Sequence, residues 1–339
     1  METLLLDARA PGATERAVSL LAAGELVALP TETVYGLAAD AARPEALAAI
    51  FQAKERPLFD PLIVHLPDRG WLERLTAPSR AQASLLERLA AGFWPGPLTV
   101  VLPRRLEAVP DLVTAGGPLV AVRISAHPVF RTVVEGFGRP LAAPSANRFG
   151  RISPTTGAHV VSELSGRIAL VLDAGPTTHG LESTVILPGD DGETIRILRH
   201  GPITAETLGD FARVETASDA VRQASPGQTP GHYAPRTRLH LLTPGHGAIK
   251  PGKVGRLYFR ADLPRYPDEK WAAVEYLSKA GDLREVAVNL FAALRRLDEA
   301  GLDFIIADDV PEEGLGRAIM ERLRRAAAGS GHPPASHGA

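Results

Sequence analysis

The 339-residue sequence contains no cysteine. That excludes disulfide bonds, thiol nucleophiles and thiolate metal sites, and it suits a reducing, cytoplasmic compartment. Long apolar runs are missing as well: none reaches the roughly 18–20 residues that a membrane-spanning helix needs. The opening METLLLDARAPG has no basic flank before its apolar stretch, so no secretory signal is expected there. An excess of one charge is also lacking. The 37 basic and 39 acidic residues leave a formal net charge of −2, which shows no global attraction to nucleic acid. A local basic groove stays open. Zinc-protease (HExxH) and serine-hydrolase (GxSxG) signatures are absent, as is any metal-spaced histidine cluster.

Lysine is the scarcest charged residue. It stands only at 54, 250, 253, 270 and 279, which leaves 37 − 5 = 32 arginines. Lys54 is thus the one lysine among the first 249 residues. Either this is chance in an arginine-rich chain, or a compact ammonium is required at that point.

What the sequence does contain is globular: 45% hydrophobic and 22% charged residues, on a length that suits two domains. Helical and strand patterns alternate through the first two hundred residues. Helices are expected at 13–23, 44–54, 79–93, 127–135, 156–164 and 204–211. Strands are expected at 26–31, 62–66, 98–102, 119–124, 141–143, 168–172, 183–187 and 194–198. This alternation predicts an α/β domain with a large mixed sheet over 1–213. Periodicity then stops, and SPGQTPGHYAPRT packs proline, glycine and polar residues together. A linker is therefore expected over 214–237 and a smaller α/β domain over 238–328, with strands at 239–242, 254–259 and 304–307 and helices at 283–300 and 315–328. The tail 329–339 is expected to be disordered.

Two apparent nucleotide signatures fail on inspection. Gly247, Gly252 and Lys253 match GxxxxGK, but Val254 replaces the metal-binding hydroxyl and a strand follows where a helix is needed. Gly136 and Gly138 begin a GxG, yet Leu141 stands where the third glycine belongs.

Polar residues gather instead at strand ends and in loops of small residues. PTETVYG (30–36) reads either as a substrate-lining loop or as an ordinary strand-to-turn transition. KERPLFDPLIVH (54–65) offers Lys54, Arg56 and His65 around a proline-stiffened loop, which suits a polyanion; the helix dipole alone would also favour cations there. In VAVRIS (120–125), Val122 and Ile124 should face a core, so Arg123 needs a partner or a ligand, and a carboxylate fits its fork. APSANRFGRISPTT (143–156) carries more donors than capping explains, feeding a helix N-terminus suited to anions. LESTVIL (181–187) and RILRHG (196–201) add Ser183, Thr184 and Arg199.

Together these motifs resemble the YrdC-like threonylcarbamoyl-adenylate synthases in their long form. The match is carried by PTETVYGL at 30–37, KxRPxxxPLIVH at 54–65, FWPGPLT at 93–99, VAVR at 120–123, APSAN at 143–147, SPTT at 153–156, ESTV at 182–185 and ILRHG at 197–201, then SPG at 225–227 and HYAP at 232–235. The resemblance implies an open twisted mixed sheet with a central cavity, plus a Rossmann-like C-terminal domain. It implies an enzyme joining L-threonine, bicarbonate and ATP into threonylcarbamoyl-AMP with release of pyrophosphate. The product would pass to the tRNA threonylcarbamoyl-transfer machinery; weak tRNA contact is left open and no membrane partner is expected.

By the same resemblance, Thr33, His65, Arg123, Ala143 and Ser183 would bind L-threonine. Lys54, Arg56, Asp60, Ser145, Asn147, Ser153, Arg199, His232 and Tyr233 would bind ATP, with Lys54 and Arg56 closest to the chemistry. Mg²⁺ would be held mainly through the ATP phosphates rather than by protein ligands. Three departures are visible: Gln228, Thr229 and Pro230 follow SPG where the family has Met, a basic residue and Tyr; Asp60 replaces the commoner Asn, adding a negative charge near the phosphates; and Phe149 replaces a small residue. The competing readings are an RNA- or tRNA-binding module and a carbamoyl-transfer domain using another donor. The balanced charge and the lack of an evident stacking platform weigh against the first, and the long-form linker against the second.

Overall fold

A computed structural model describes residues 2–216, 231–242, 252–261 and 271–331. It divides into two compact units, one formed by Met1–Phe149 with Ser153–Gln228 and the other by Gly150–Ile152 with Thr229–Ala339. Of the expected linker, residues 217–230 lie outside the described residues, and Gln228, Thr229 and Pro230 fall among them.

The first unit is built on one sheet of eleven strands. In chain order these are β1 (Leu4–Asp7), β2 (Val27–Leu29), β3 (Gly36–Asp40), β4 (Ile63–His65), β5 (Leu98–Pro103), β6 (Leu119–Arg123), β7 (Leu141–Ala142), β8 (Leu170–Asp173), β9 (Thr184–Pro188), β10 (Thr194–Arg199) and β11 (Arg213–Thr216). Their spatial order is β1-β8-β2-β3-β7-β4-β6-β5-β9-β10-β11, with parallel and antiparallel pairs mixed. Residues 214–216 of the expected linker thus close the sheet as part of edge strand β11, parallel to β10, where Glu215 pairs with Arg196 and Arg213.

Helices cover both faces because strand side chains alternate between faces. Val64, Val100, Val122 and Ile186 enter the main core beside residues of the helices Pro44–Lys54 and Arg80–Phe93. The helices Ala13–Ala23 and Pro128–Phe137 bury Ala17, Leu21, Phe130 and Val133 against Val27, Leu29 and Leu170. A smaller cluster of Ile63, Val101, Ala121, Val185 and Leu198 lies under the strand positions that alternate with the main core. Arg123 shares that second alternation, between Val122 and Ile124, which both enter the main core. A charge is therefore placed on the thinly covered face.

Helix ends agree with local sequence chemistry. Ser79 and Gln82 form a reciprocal capping box at the start of Arg80–Phe93. Pro44 occupies the first turn of its helix, and the chain leaves that helix at Glu55, whose φ is 54°.

The second unit carries a four-stranded parallel sheet in the order β12-β15-β13-β14, with β12 (Arg238–Leu242), β13 (Val254–Arg260), β14 (Ala273–Ser278) and β15 (Phe304–Asp308). Helices Leu283–Glu299 and Leu315–Gly329 complete it. Order continues past the expected 328, since Ser330 is buried and accepts a hydrogen bond from Leu239 N at 2.8 Å.

Candidate active site

Strand register brings distant residues into one row. His65 of β4 pairs with Arg123 of β6, and Arg123 with Thr99 of β5. Register partners project to the same face, so His65, Arg123 and Thr99 stand side by side. Beyond them, Thr99 Oγ1 lies 2.8 Å from the Oγ of Ser183, the residue before β9. All four are buried.

Arg123 is the hub of this row. Its Nε donates to Gly96 O at 3.2 Å and its Nη1 to Thr33 Oγ1 at 3.0 Å. Its Nη2 lies 2.7 Å from Glu32 Oε1. Thr33 is held in turn by Thr31, whose Oγ1 is 2.8 Å from Thr33 Oγ1 and donates to Val34 O at 2.6 Å. PTETVYG is therefore a turn tied to a buried cation. Glu32 is the residue that the sequence left unassigned. Its signal was a carboxylate in a strand-end motif, but nothing local connects positions 32 and 123.

Burial pushes the Glu32 carboxyl up, but the Arg123 charge and the Ser125 hydroxyl, which donates to Oε2 at 2.5 Å, outweigh it and bring it down to about 2. Burial, reinforced by the nearby Arg123 charge, pushes the His65 imidazole down to about 3. His65 is therefore neutral at pH 7, bonded to the backbone of Ala143 and tilted against Phe130 at 4.6 Å. Ala143 enters the site through that backbone contact.

The cations expected to meet ATP are anchored in loops. Lys54 ends its helix almost fully buried, and its Nζ donates to Ser145 O and Asn147 O at 2.5 Å. Desolvation, with the neighbouring Arg56 charge, depresses the Lys54 ammonium well below the usual lysine range. Phe149 N donates back to Lys54 O at 2.7 Å, so this departure from the family leaves the loop's attachment intact. Arg56 donates to Asp60 O and Pro61 O, and Asp60 Oδ2 lies 3.0 Å from Arg56 Nη2. The Asp60 charge is thus paired with Arg56 inside its own loop.

Asn147 Nδ2 donates to Arg148 O at 2.7 Å, and Ser153 donates to Glu182, a second buried carboxylate that the sequence did not single out. Arg199 grips Ser183 through Nε and Nη2 to the carbonyl, at 3.1 and 2.9 Å, and Nη2 to the hydroxyl at 3.0 Å. The first unit therefore brings together Thr33, His65, Arg123 and Ser183, and separately links Lys54 with the Ser145–Asn147 loop. His232 and Tyr233 belong to the second unit. There the Tyr233 ring, at φ 65°, stacks on Phe291 at 5.6 Å with Arg322 over it at 5.3 Å.

A model described as telomere recombination (Sua5/YciO/YrdC) matches residues 19–201, and one described as the threonylcarbamoyl-AMP synthase C-terminal domain matches 203–328. The Bacillus subtilis threonylcarbamoyl-AMP synthase is 40% identical over 331 residues, covering 93% of this chain and 92% of that protein. This chain belongs to the threonylcarbamoyl-AMP synthase family. The Pyrococcus abyssi synthase is 38% identical over 327 residues, 91% of this chain and 92% of its own. The crystal structure of P. abyssi Sua5 complexed with L-threonine superposes with a TM-score of 0.82 at 35% identity, covering 98% of this chain and all of that one. The family is one of nucleotidyltransferases, and the two-unit α/β architecture described above is its architecture.

Proposed function

We infer that the protein condenses L-threonine, bicarbonate and ATP into threonylcarbamoyl-AMP, releasing pyrophosphate and water, to supply the threonylcarbamoyl group of modified tRNA. One observation carries the residue roles: buried Arg123, His65 and Ser183 stand in a row at one end of the β4–β6–β5–β9 stretch, with Thr33 on the guanidinium. A carbamate formed on threonine and the α-phosphate it attacks are both anionic. Catalysis therefore asks for alignment and charge neutralisation, and a nucleophilic side chain has no part in it.

In this reading Arg123 takes the threonine carboxylate, while Thr33 and Ser183 offer hydroxyls. Lys54 uses two of its three N–H groups on the loop carbonyls, and the third suits a phosphate oxygen. Arg56, Ser145, Asn147, Ser153 and Arg199 surround the nucleotide. Mg²⁺ would arrive with ATP, held mainly through the ATP phosphates. ATP, threonine, bicarbonate and tRNA meet in the cytoplasm, the compartment proposed for the reaction; no helix among the described residues is long and apolar enough to cross a membrane.

The test is incubation with MgATP, bicarbonate and L-threonine, followed by mass spectrometry with each substrate omitted in turn. A threonylcarbamoyl-AMP signal needing all three is expected. Pyrophosphate release that ignores threonine would overturn the reading.

A further inference from the structure

Three buried polar atoms around the row are left over by these roles. Arg123 Nη2, Glu32 Oε1 and His65 Nδ1 are each shielded from solvent, and none makes an aligned hydrogen bond. The first two lie 2.7 Å apart as a buried ion pair, so Glu32 Oε1 is paired in charge and still keeps a lone pair for a further donor. Buried donors and acceptors left in this condition are costly, so a ligand that satisfies them gains affinity.

Glu32 is fixed from behind. Its Oε2 accepts from Ser125 at 2.5 Å, and its backbone carbonyl accepts from Thr178 Oγ1 at 3.1 Å and His179 N at 2.9 Å. Its carboxylate therefore holds one orientation beside the guanidinium. Arg123 has five N–H donors and commits one to Gly96 and one to Thr33. With one Nη2 N–H turned to Glu32, two remain for an incoming carboxylate while Glu32 stays in place.

An α-amino acid carries its carboxylate and its amino group on one carbon. Once the carboxylate docks on Arg123, the amino group falls beside the guanidinium, where Glu32 Oε1 and His65 Nδ1 are acceptors with a lone pair to offer. We propose that Glu32 accepts a hydrogen bond from the amino group of L-threonine and, with His65, orients its nitrogen for carboxylation. This rests on the assignment of the threonine carboxylate to Arg123. Glu32 is far too weak a base to take the ammonium proton, so it positions the nitrogen without deprotonating it. The arrangement also selects for a primary amine, because a hydroxyl at the same position offers one donor and no charge.

The experiment uses calorimetric titration of the full chain with L-threonine, with its analogue bearing a hydroxyl in place of the amine (2,3-dihydroxybutanoate), and with ATP. Wild type is expected to bind threonine at least tenfold more tightly than the analogue. Glu32→Gln should weaken threonine at least tenfold, leave ATP within twofold and shrink the threonine-to-analogue ratio to threefold or less. Unchanged discrimination in Glu32→Gln would overturn the proposal, as would tighter threonine binding, which would make Glu32 a competitor for Arg123. If Glu32→Gln does not fold, Glu32→Asp decides: it withdraws the carboxylate by one methylene and should weaken threonine alone, whereas unaltered affinity sinks the idea. Equal binding of threonine and the analogue by wild type would do the same. Failure of the underlying reading looks different, because wild type would then bind no threonine and form no adduct.

Discussion

The Lys54 ammonium and the Asn147 carbonyl are joined by a buried 2.5 Å hydrogen bond, with Ser145 O at the same distance on the same nitrogen. The end of the helix Pro44–Lys54 is thereby bolted to the loop that carries two proposed nucleotide contacts. The lysine at 54 in so arginine-rich a chain now has a structural reason, since a small tetrahedral ammonium meets two converging carbonyls that a planar guanidinium would not fit.

Lys54→Met should therefore lower pyrophosphate release by about 10- to 100-fold, the range expected for losing one or two hydrogen bonds to a charged group. Lys54→Arg should fail to restore it despite keeping the charge. Full rescue by arginine would show that only charge matters at this position.

Arg123→Ala should act in two ways. It leaves Glu32 charged and buried without its partner, a loss of about 3–5 kcal/mol typical of a broken buried pair. It should also raise the threonine requirement about 10- to 100-fold, with the ATP requirement changing far less. Chemical denaturation and separate substrate titrations check the two effects. An equal rise for both substrates would mean that the clamp has been misassigned.

Acid should destabilise the protein in two stages. His65 has its proton affinity lowered from 6.5 to about 3 on folding, so the unfolded chain binds a proton that the folded one refuses, and stability falls as pH drops below about 6.5. Glu32 is lowered from 4.5 to about 2, so its contribution is present above 4.5 and is lost as pH falls toward 2. Urea midpoints should decline from pH 7 to 5 and more steeply below 4.5. His65→Asn should shrink the upper stage and leave the lower one, with His127, also lowered by burial, keeping part of the upper stage. A wild-type midpoint constant between pH 7 and 4 would contradict this account.

Gly201 follows the ILRH run because nothing larger fits. A Cβ there would meet Thr184 N at 2.4 Å and Glu182 O at 2.6 Å, both backbone atoms unable to yield cheaply. Gly201→Ala should lower the melting temperature and disturb Ser183 and Arg199, which flank the same backbone. Gly209→Ala, with no atom within 4 Å of the added carbon, should be neutral or stabilising by up to about 1 kcal/mol. Similar melting temperatures for the two variants would remove the steric argument.

Most elements of the first unit were legible as periodicity. The helix expected at 13–23 occupies Ala13–Ala23, and the strand expected at 98–102 occupies Leu98–Pro103. Four strands escaped: β1, β3, β11 and β14. The reason is clearest for β3, whose GLAAD has small residues of poor strand propensity and no alternation, because it is buried along its whole length. Its extended form comes from pairing with β2 and β7, which no local pattern announces.

For the site, the sequence by itself determined which chemical groups are available and that they are cations, hydroxyls and amides at strand ends. The orphan charge of Arg123 was visible in VAVRIS because alternation sets it apart from Val122 and Ile124. Tertiary structure decided what each group touches. Glu32 on Arg123, Glu182 on Ser153 and Asp60 on Arg56 settle which charges are balanced and which donors are spent. The physical reason is that strand propensity and capping are local, whereas a buried ion pair such as Glu32–Arg123 arises only when sheet register draws remote segments together and excludes the water that would otherwise solvate each charge.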